Sequence, residues 1–169
     1  MATKIVAEYS KRLLSIDDVS FFCVFGKEGV TDNKNEGDWK TPTGTFPIRK
    51  IYYRDDKISK PNTNNIECTP LSPEDAWCDD TEKKEYNTFV KLPFDGSYEN
   101  LWREDDMYDI IVILEYNDSP VIKGKGSAIF IHIAKENMEY TKGCLALKKE
   151  DMVSLLNKIN IDTKIEISK

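Results

Sequence analysis

The stretch GSAIFIHIAKENMEYTKGCLAL, residues 126–147, contains the only histidine of the chain, His132, and twelve residues later a glycine–cysteine pair, Gly143–Cys144. A thiol attacks a carbonyl as thiolate, and an ordinary cysteine is mostly protonated near neutral pH. A neighbouring imidazole can take that proton, and the resulting imidazolium holds the thiolate by charge attraction. A glycine before the cysteine lets a substrate backbone come close and can adopt the turn that points N–H groups at a developing oxyanion. A histidine at a strand end and Gly-Cys in the following turn are therefore the parts of an acyl-transfer site. The plainer alternative is a hydrogen-bonded structural histidine and a small buried thiol.

The elements that must position this pair are mainly strands. SAIFIHIA, 127–134, alternates so that Ile129, Ile131 and Ile133 share one face and Ala128, Phe130 and His132 the other. MYDIIVILEY, 107–116, is a nearly continuous apolar run, as expected of a strand covered on both faces. TKIVAEY at 3–9, VSFFCVFG at 19–26 and TFPIRKIYYR at 45–54 are rich in β-branched and aromatic residues and predict further strands. One helix is expected over 148–160, where Met152, Leu155, Leu156 and Ile159 fall at helical spacing, followed by a closing strand in TKIEIS. Two turn-rich segments, 26–44 and 55–87, predict long binding loops or lids; the second contains Trp77, Cys78 and Tyr86. No repeat, low-complexity tract or linker interrupts this pattern, so residues 1–169 are expected to form one β-rich domain.

Composition removes several functions. With 32% charged residues and a net charge of -6, no lysine or arginine cluster alternates with aromatics, which argues against a nucleic-acid partner. No apolar run approaches the ~20 residues of a membrane span. The first 22 residues show neither a long apolar segment behind a basic tip nor a small-residue cleavage site, so no secretory leader is expected in them. The four cysteines, Cys23, Cys68, Cys78 and Cys144, form no CxxC pair, and a single histidine makes a metal site unexpected. A Cys68–Cys78 disulfide is left open by their spacing.

The turn Thr141–Lys142–Gly143–Cys144, with His132 on the strand before it, resembles the signature of the L,D-transpeptidase catalytic domain, the YkuD-like family. GDWKTPTGTFPI, 37–48, is similar to that family's second motif, and AWCDD, the YN pair at 86–87 and GSAIFIHIA resemble one stand-alone branch of it. The resemblance runs from about Gly26 to Leu147. It implies a mainly β YkuD-like sandwich with its site in a cleft, a short C-terminal helix and long loops over the cleft. It implies a cofactor-free, ping-pong acyl transfer on peptidoglycan stem peptides, in which Cys144 is the nucleophile and His132 its base. The N–H groups of Gly143 and Cys144 become candidates for the oxyanion pocket. The thioacyl enzyme releases D-alanine and an amine acceptor then forms a cross-link; with water as acceptor the enzyme is an L,D-carboxypeptidase, and a non-catalytic peptidoglycan-peptide binding module is the further alternative.

The substrate-binding candidates are Thr141, Lys142, Arg103, Asp79 and Trp77. Arg103 suits a bidentate carboxylate clamp, the alternative being an ion pair with Glu104 or Asp106. Asp79 and Asp80 suit a substrate ammonium, and Trp39 and Trp77 a cleft wall, or else core packing. Many relatives carry arginine where this chain has Ala146, and serine where it has Thr141, a change that keeps the hydroxyl. A monomer is expected. The family suggests the periplasm or cell envelope, and the lack of a visible leader leaves the cytoplasm as the alternative.

Overall fold

The computed structural model describes residues 4–169. Thr3, where the expected opening strand begins, lies outside them. In chain order the strands are β1 (Lys4–Glu8), β2 (Leu13–Ile16), β3 (Val19–Phe22), β4 (Val30–Thr31), β5 (Thr41–Pro42), β6 (Gly44–Tyr53) and β7 (Cys68–Pro70). They continue with β8 (Asp75–Cys78), β9 (Phe89–Lys91), β10 (Tyr98–Asn100), β11 (Ile110–Leu114), β12 (Phe130–Ile133) and β13 (Leu145–Leu147). Helix α1 (Lys149–Leu156) and strand β14 (Lys164–Ser168) complete the chain.

Nine of these strands form one sheet in the order β13-β12-β11-β6-β14-β1-β2-β3, with β7 added to β6. The two ends of that order meet, because Val24, just past β3, exchanges backbone hydrogen bonds of 2.9 and 3.0 Å with Ala146 of β13. Joined edges leave few unpaired backbone groups there. One face of the sheet encloses the main core, where Ile5, Ile51, Ile110, Val112, Ile131 and Leu145 meet Met152, Leu155 and Leu156 of α1. The isoleucine face of the 127–134 segment joins this core, as its alternation predicts.

The opposite face of β11 and β12 carries a second cluster, in which Ile111, Ile113, Ala128 and Phe130 pack with Tyr52, Trp77, Leu101 and Tyr108. Its cover is a three-stranded sheet in the order β10-β8-β9. The 55–87 segment, expected as a loop, thus contributes β7 and β8. The expectation failed because these strands are three and four residues long, too short to show alternation, and β8 pairs with strands further along the chain. Cys68 and Cys78 are free thiols, one on each of these strands. The helix keeps its expected core face but ends at Leu156, and buried Ile159 lies beyond it.

Candidate active site

His132 sits on β12 in register with Ile111 of antiparallel β11 and with Ala146 of parallel β13. Residues in register, and those two apart along a strand, point to the same face. Cys144 stands two residues before Ala146 and packs into the second cluster with Phe130 and Tyr108, so the thiol and the imidazole share one face of the sheet. The two are offset by roughly two residues, about 6.6 Å along the strand direction.

The turn before β13 is built by Thr141. Its hydroxyl accepts the Gly143 N–H at 3.0 Å and donates to the Cys144 carbonyl at 2.6 Å. Gly143 has φ +144, and a Cβ there would stand 2.9 Å from the Lys40 carbonyl oxygen, so no larger residue fits this turn. Of the two candidate oxyanion donors, the Gly143 N–H is committed to Thr141, and the Cys144 N–H makes no hydrogen bond among the described residues. Gly143 acts on the site through the shape of the turn.

The sulfur has backbone neighbours. Cys144 Sγ donates to the Ala128 carbonyl at 3.0 Å and lies 3.4 Å from the Phe130 N–H, which points to it. Burial and the Glu99 charge push the thiol from 9.0 up to about 12, against a lowering by the Phe130 N–H and Lys34. His132 is buried and its Nδ1 faces the Ile133 carbonyl at 2.9 Å. A carbonyl only accepts, so Nδ1 carries the proton and Nε2 holds the free lone pair. Burial lowers the imidazole from 6.5 to about 4. The pair is therefore a neutral thiol and a neutral imidazole of fixed tautomer on one face of the sheet, with no hydrogen bond between them.

Residues far along the chain hold Ala128. Asn87, buried, accepts the Ala128 N–H at 3.0 Å and the Trp77 Nε1–H at 2.9 Å, and donates to the Tyr116 and Asn117 carbonyls. Tyr86 donates to Glu36 at 2.7 Å and accepts the Gly126 N–H at 2.9 Å. Lys34, also buried, pairs with Asp38 at 2.5 Å and lies beside Gly126 and Gly143. A lysine inside a segment dense in Asn, Asp and Gly gives no sequence sign of burial, and Asn87 shows only as part of the quoted YN pair.

The other candidates separate. Lys142 is exposed, with its ammonium 5.4 Å from the Trp39 ring centroid. Trp77 is buried and packs edge-on against Phe130 at 5.1 Å, the packing alternative to a cleft wall. Arg103 takes neither Glu104 nor Asp106; its Nε and Nη2 grip Asp105 at 2.9 and 2.7 Å, and it lies 5.2 Å from the Tyr108 ring. The Asp79 carboxylate accepts the Ser97 hydroxyl at 2.6 Å. A groove of about 1190 Å³ runs past Met107, Ile133 and Ala146 under an acid-rich rim, and neither Cys144 nor His132 lines it.

The L,D-transpeptidase catalytic-domain family, YkuD, matches residues 3–167. No curated protein matches the chain. Among solved structures, the chain is similar to L,D-transpeptidase 3 from Mycobacterium tuberculosis, at 15% identity and a TM-score of 0.51, over 99% of this chain and 61% of that one. The same protein in complex with a faropenem-derived adduct is similar at 12% identity and 0.50, over 99% and 60%. Bd1075 of Bdellovibrio bacteriovorus is similar at 15% and 0.51, over 96% and 46%. The chain thus spans 46% to 61% of the length of these proteins, and the likeness is one of fold.

Proposed function

The chain belongs to the L,D-transpeptidase catalytic-domain family, and from that premise we propose that it performs cysteine-dependent acyl transfer on peptidoglycan stem peptides. The observation that carries this reading is the fixed tautomer of the only histidine, whose free Nε2 shares a sheet face with Cys144.

In the proposed reaction the sulfur leaves the Ala128 carbonyl, turns toward His132 and gives its proton to Nε2. The thiolate attacks the carbonyl of the donor's diamino acid residue. The Cys144 N–H stabilises the oxyanion, and the dipoles of such preset donors cost nothing to reorganise at that moment. As the C–N bond breaks, the imidazolium protonates the leaving D-alanine. An amine of a second stem, deprotonated by the same Nε2, attacks the thioester and releases the cross-linked product with free thiol. Water in place of the amine gives the carboxypeptidase product. The cell envelope and a monomeric domain spanning residues 1–169 belong to the same proposal.

One observation favours a second reading, a non-catalytic binding module: the sulfur is protonated and bonded to backbone rather than to imidazole. Incubation with a stem tetrapeptide, with and without an amine acceptor, separates the readings. Transfer predicts a dimeric product and released D-alanine; hydrolysis predicts tripeptide in both tubes. Binding without turnover leaves only the second reading.

A further inference from the structure

The carbonyl that holds the sulfur stands outside the sheet ladder. Ala128 precedes β12, whose pairing with β11 starts at Phe130. Its φ is +56, a conformation disfavoured for any residue with a Cβ, and it is buried. Such a conformation persists where the surroundings enforce it, and here Asn87 accepts the Ala128 N–H at 3.0 Å. Among the described residues the Cys144 thiol is the one hydrogen-bond donor to the Ala128 carbonyl, at 3.0 Å. The proposed reaction removes that donor. Once the sulfur has given its proton to Nε2 of His132, the carbonyl oxygen faces a thiolate, and a buried acceptor left without a donor is costly. The Phe130 N–H does not replace it, because it is directed at the sulfur, 3.4 Å away.

We infer that the Ala128 carbonyl is a peptide-binding group: it accepts the N–H of the residue whose own carbonyl is attacked, and this N–H displaces the thiol and frees it to turn to His132. The distances close. A sulfur poised for attack lies about 3 to 3.5 Å from the carbonyl carbon. The nitrogen of the same residue is about 2.5 Å from that carbon, through the Cα. A hydrogen bond of about 2.9 Å from that nitrogen reaches an oxygen that is 3.0 Å from the sulfur. The N–H of the scissile amide is not available for this, since its nitrogen must face Nε2 to be protonated as it leaves. During proton transfer the S–H bond breaks and the Nε2–H bond forms; at the carbonyl only a hydrogen bond is exchanged. The ligand class is a peptide with a secondary amide on the N-terminal side of the attacked carbonyl. The inference rests on the acyl-transfer reading for its substrate, but the binding group is testable without turnover.

The test uses three synthetic stem tetrapeptides: the parent, an analogue N-methylated on the nitrogen of the third residue, and one N-methylated on the nitrogen of the second. Binding is measured by NMR titration of Cys144→Ala, in which the carbonyl is bare and no thioester can form. Methylation at the third residue is expected to weaken binding about tenfold, the worth of one hydrogen bond, while methylation at the second leaves it like the parent. Equal binding of the parent and the third-residue analogue, equal weakening by both methyl groups, or no binding of the parent overturns the inference. On the wild type, release of D-alanine from the third-residue analogue is expected to slow by at least the same factor. Equal release from that analogue and the parent would overturn the inference and keep the acyl-transfer reading. The expected binding ratios in a protein that never releases D-alanine would keep the Ala128 carbonyl as a peptide-binding group and remove the acyl-transfer reading.

Discussion

The Cys144 thiol donates to the carbonyl of Ala128, at 3.0 Å, and not to His132. That carbonyl is fixed in turn by Asn87, which accepts the Ala128 N–H. The thiol is therefore held by a chain of contacts that begins beyond β8, and the proposed reaction requires it to leave that carbonyl.

Asn87 makes four hydrogen bonds at φ +58. Asn87→Ala strands two donors and two carbonyls and places at positive φ a residue that tolerates it less than asparagine. It is expected to cost about 3 kcal/mol in denaturant unfolding. Asn87→Gly relieves the backbone but not the bonds, and should recover about 1 kcal/mol of that.

Thr141 ties Gly143 to Cys144 through one hydroxyl. Thr141→Ser keeps both bonds and should acylate like wild type. Thr141→Val keeps the volume and loses them, freeing the Gly143 N–H and loosening the turn. Its acylation rate is expected to fall about 10- to 100-fold, the range typical of misplaced catalytic geometry. Equal rates for Ser and Val would mean the turn is held elsewhere.

His132 gives stability a defined acid limb. Its folded value, about 4, lies below the ordinary 6.5, so between these pH values the unfolded chain binds a proton that the folded chain does not. Its contribution is whole above pH 6.5 and is lost as pH falls toward 4, up to about 3 kcal/mol. His132→Gln should flatten this limb in unfolding curves taken at stepped pH. Cys144, raised to about 12, acts in the other direction, its contribution declining as pH rises from 9.0 toward 12.

Lys34 is buried against Asp38 and is a positive neighbour of the sulfur. Lys34→Met preserves the stem that packs by Gly143 and removes the charge. Asp38 keeps the Asn35 and Lys40 N–H groups, so a loss of about 2 kcal/mol is expected, below that of a fully orphaned buried charge. The thiol should titrate higher, and its alkylation at a given pH should slow.

Much of this was legible in the residues. The alternation in 127–134 placed His132 opposite the isoleucines, and the main core follows it. The Thr-Lys-Gly-Cys turn pointed to the proposed nucleophile, and the hydroxyl kept by Thr141 is the one that shapes the turn. What stayed hidden depends on pairing at long range. Glu99 and Tyr108 are separated by a turn-rich stretch, and only the β8–β10 pairing together with β11 brings them together. Tyr108 reads as a strand core residue and is buried as one, yet it also links Glu99 to the histidine's surroundings. For Arg103 the residues left a substrate clamp and an ion pair with Glu104 or Asp106 both open, because sequence shows neighbours but not rotamers, and Asp105 takes its fork.

The central claim is that Cys144 is a nucleophile served by His132. Intact-mass spectrometry of the purified protein with a carbapenem or with faropenem tests it most directly. One covalent adduct per chain is predicted, mapping to the Cys144 peptide, lost in Cys144→Ser and strongly slowed in His132→Gln. No adduct on the wild type, or an adduct that persists in Cys144→Ser, would contradict it.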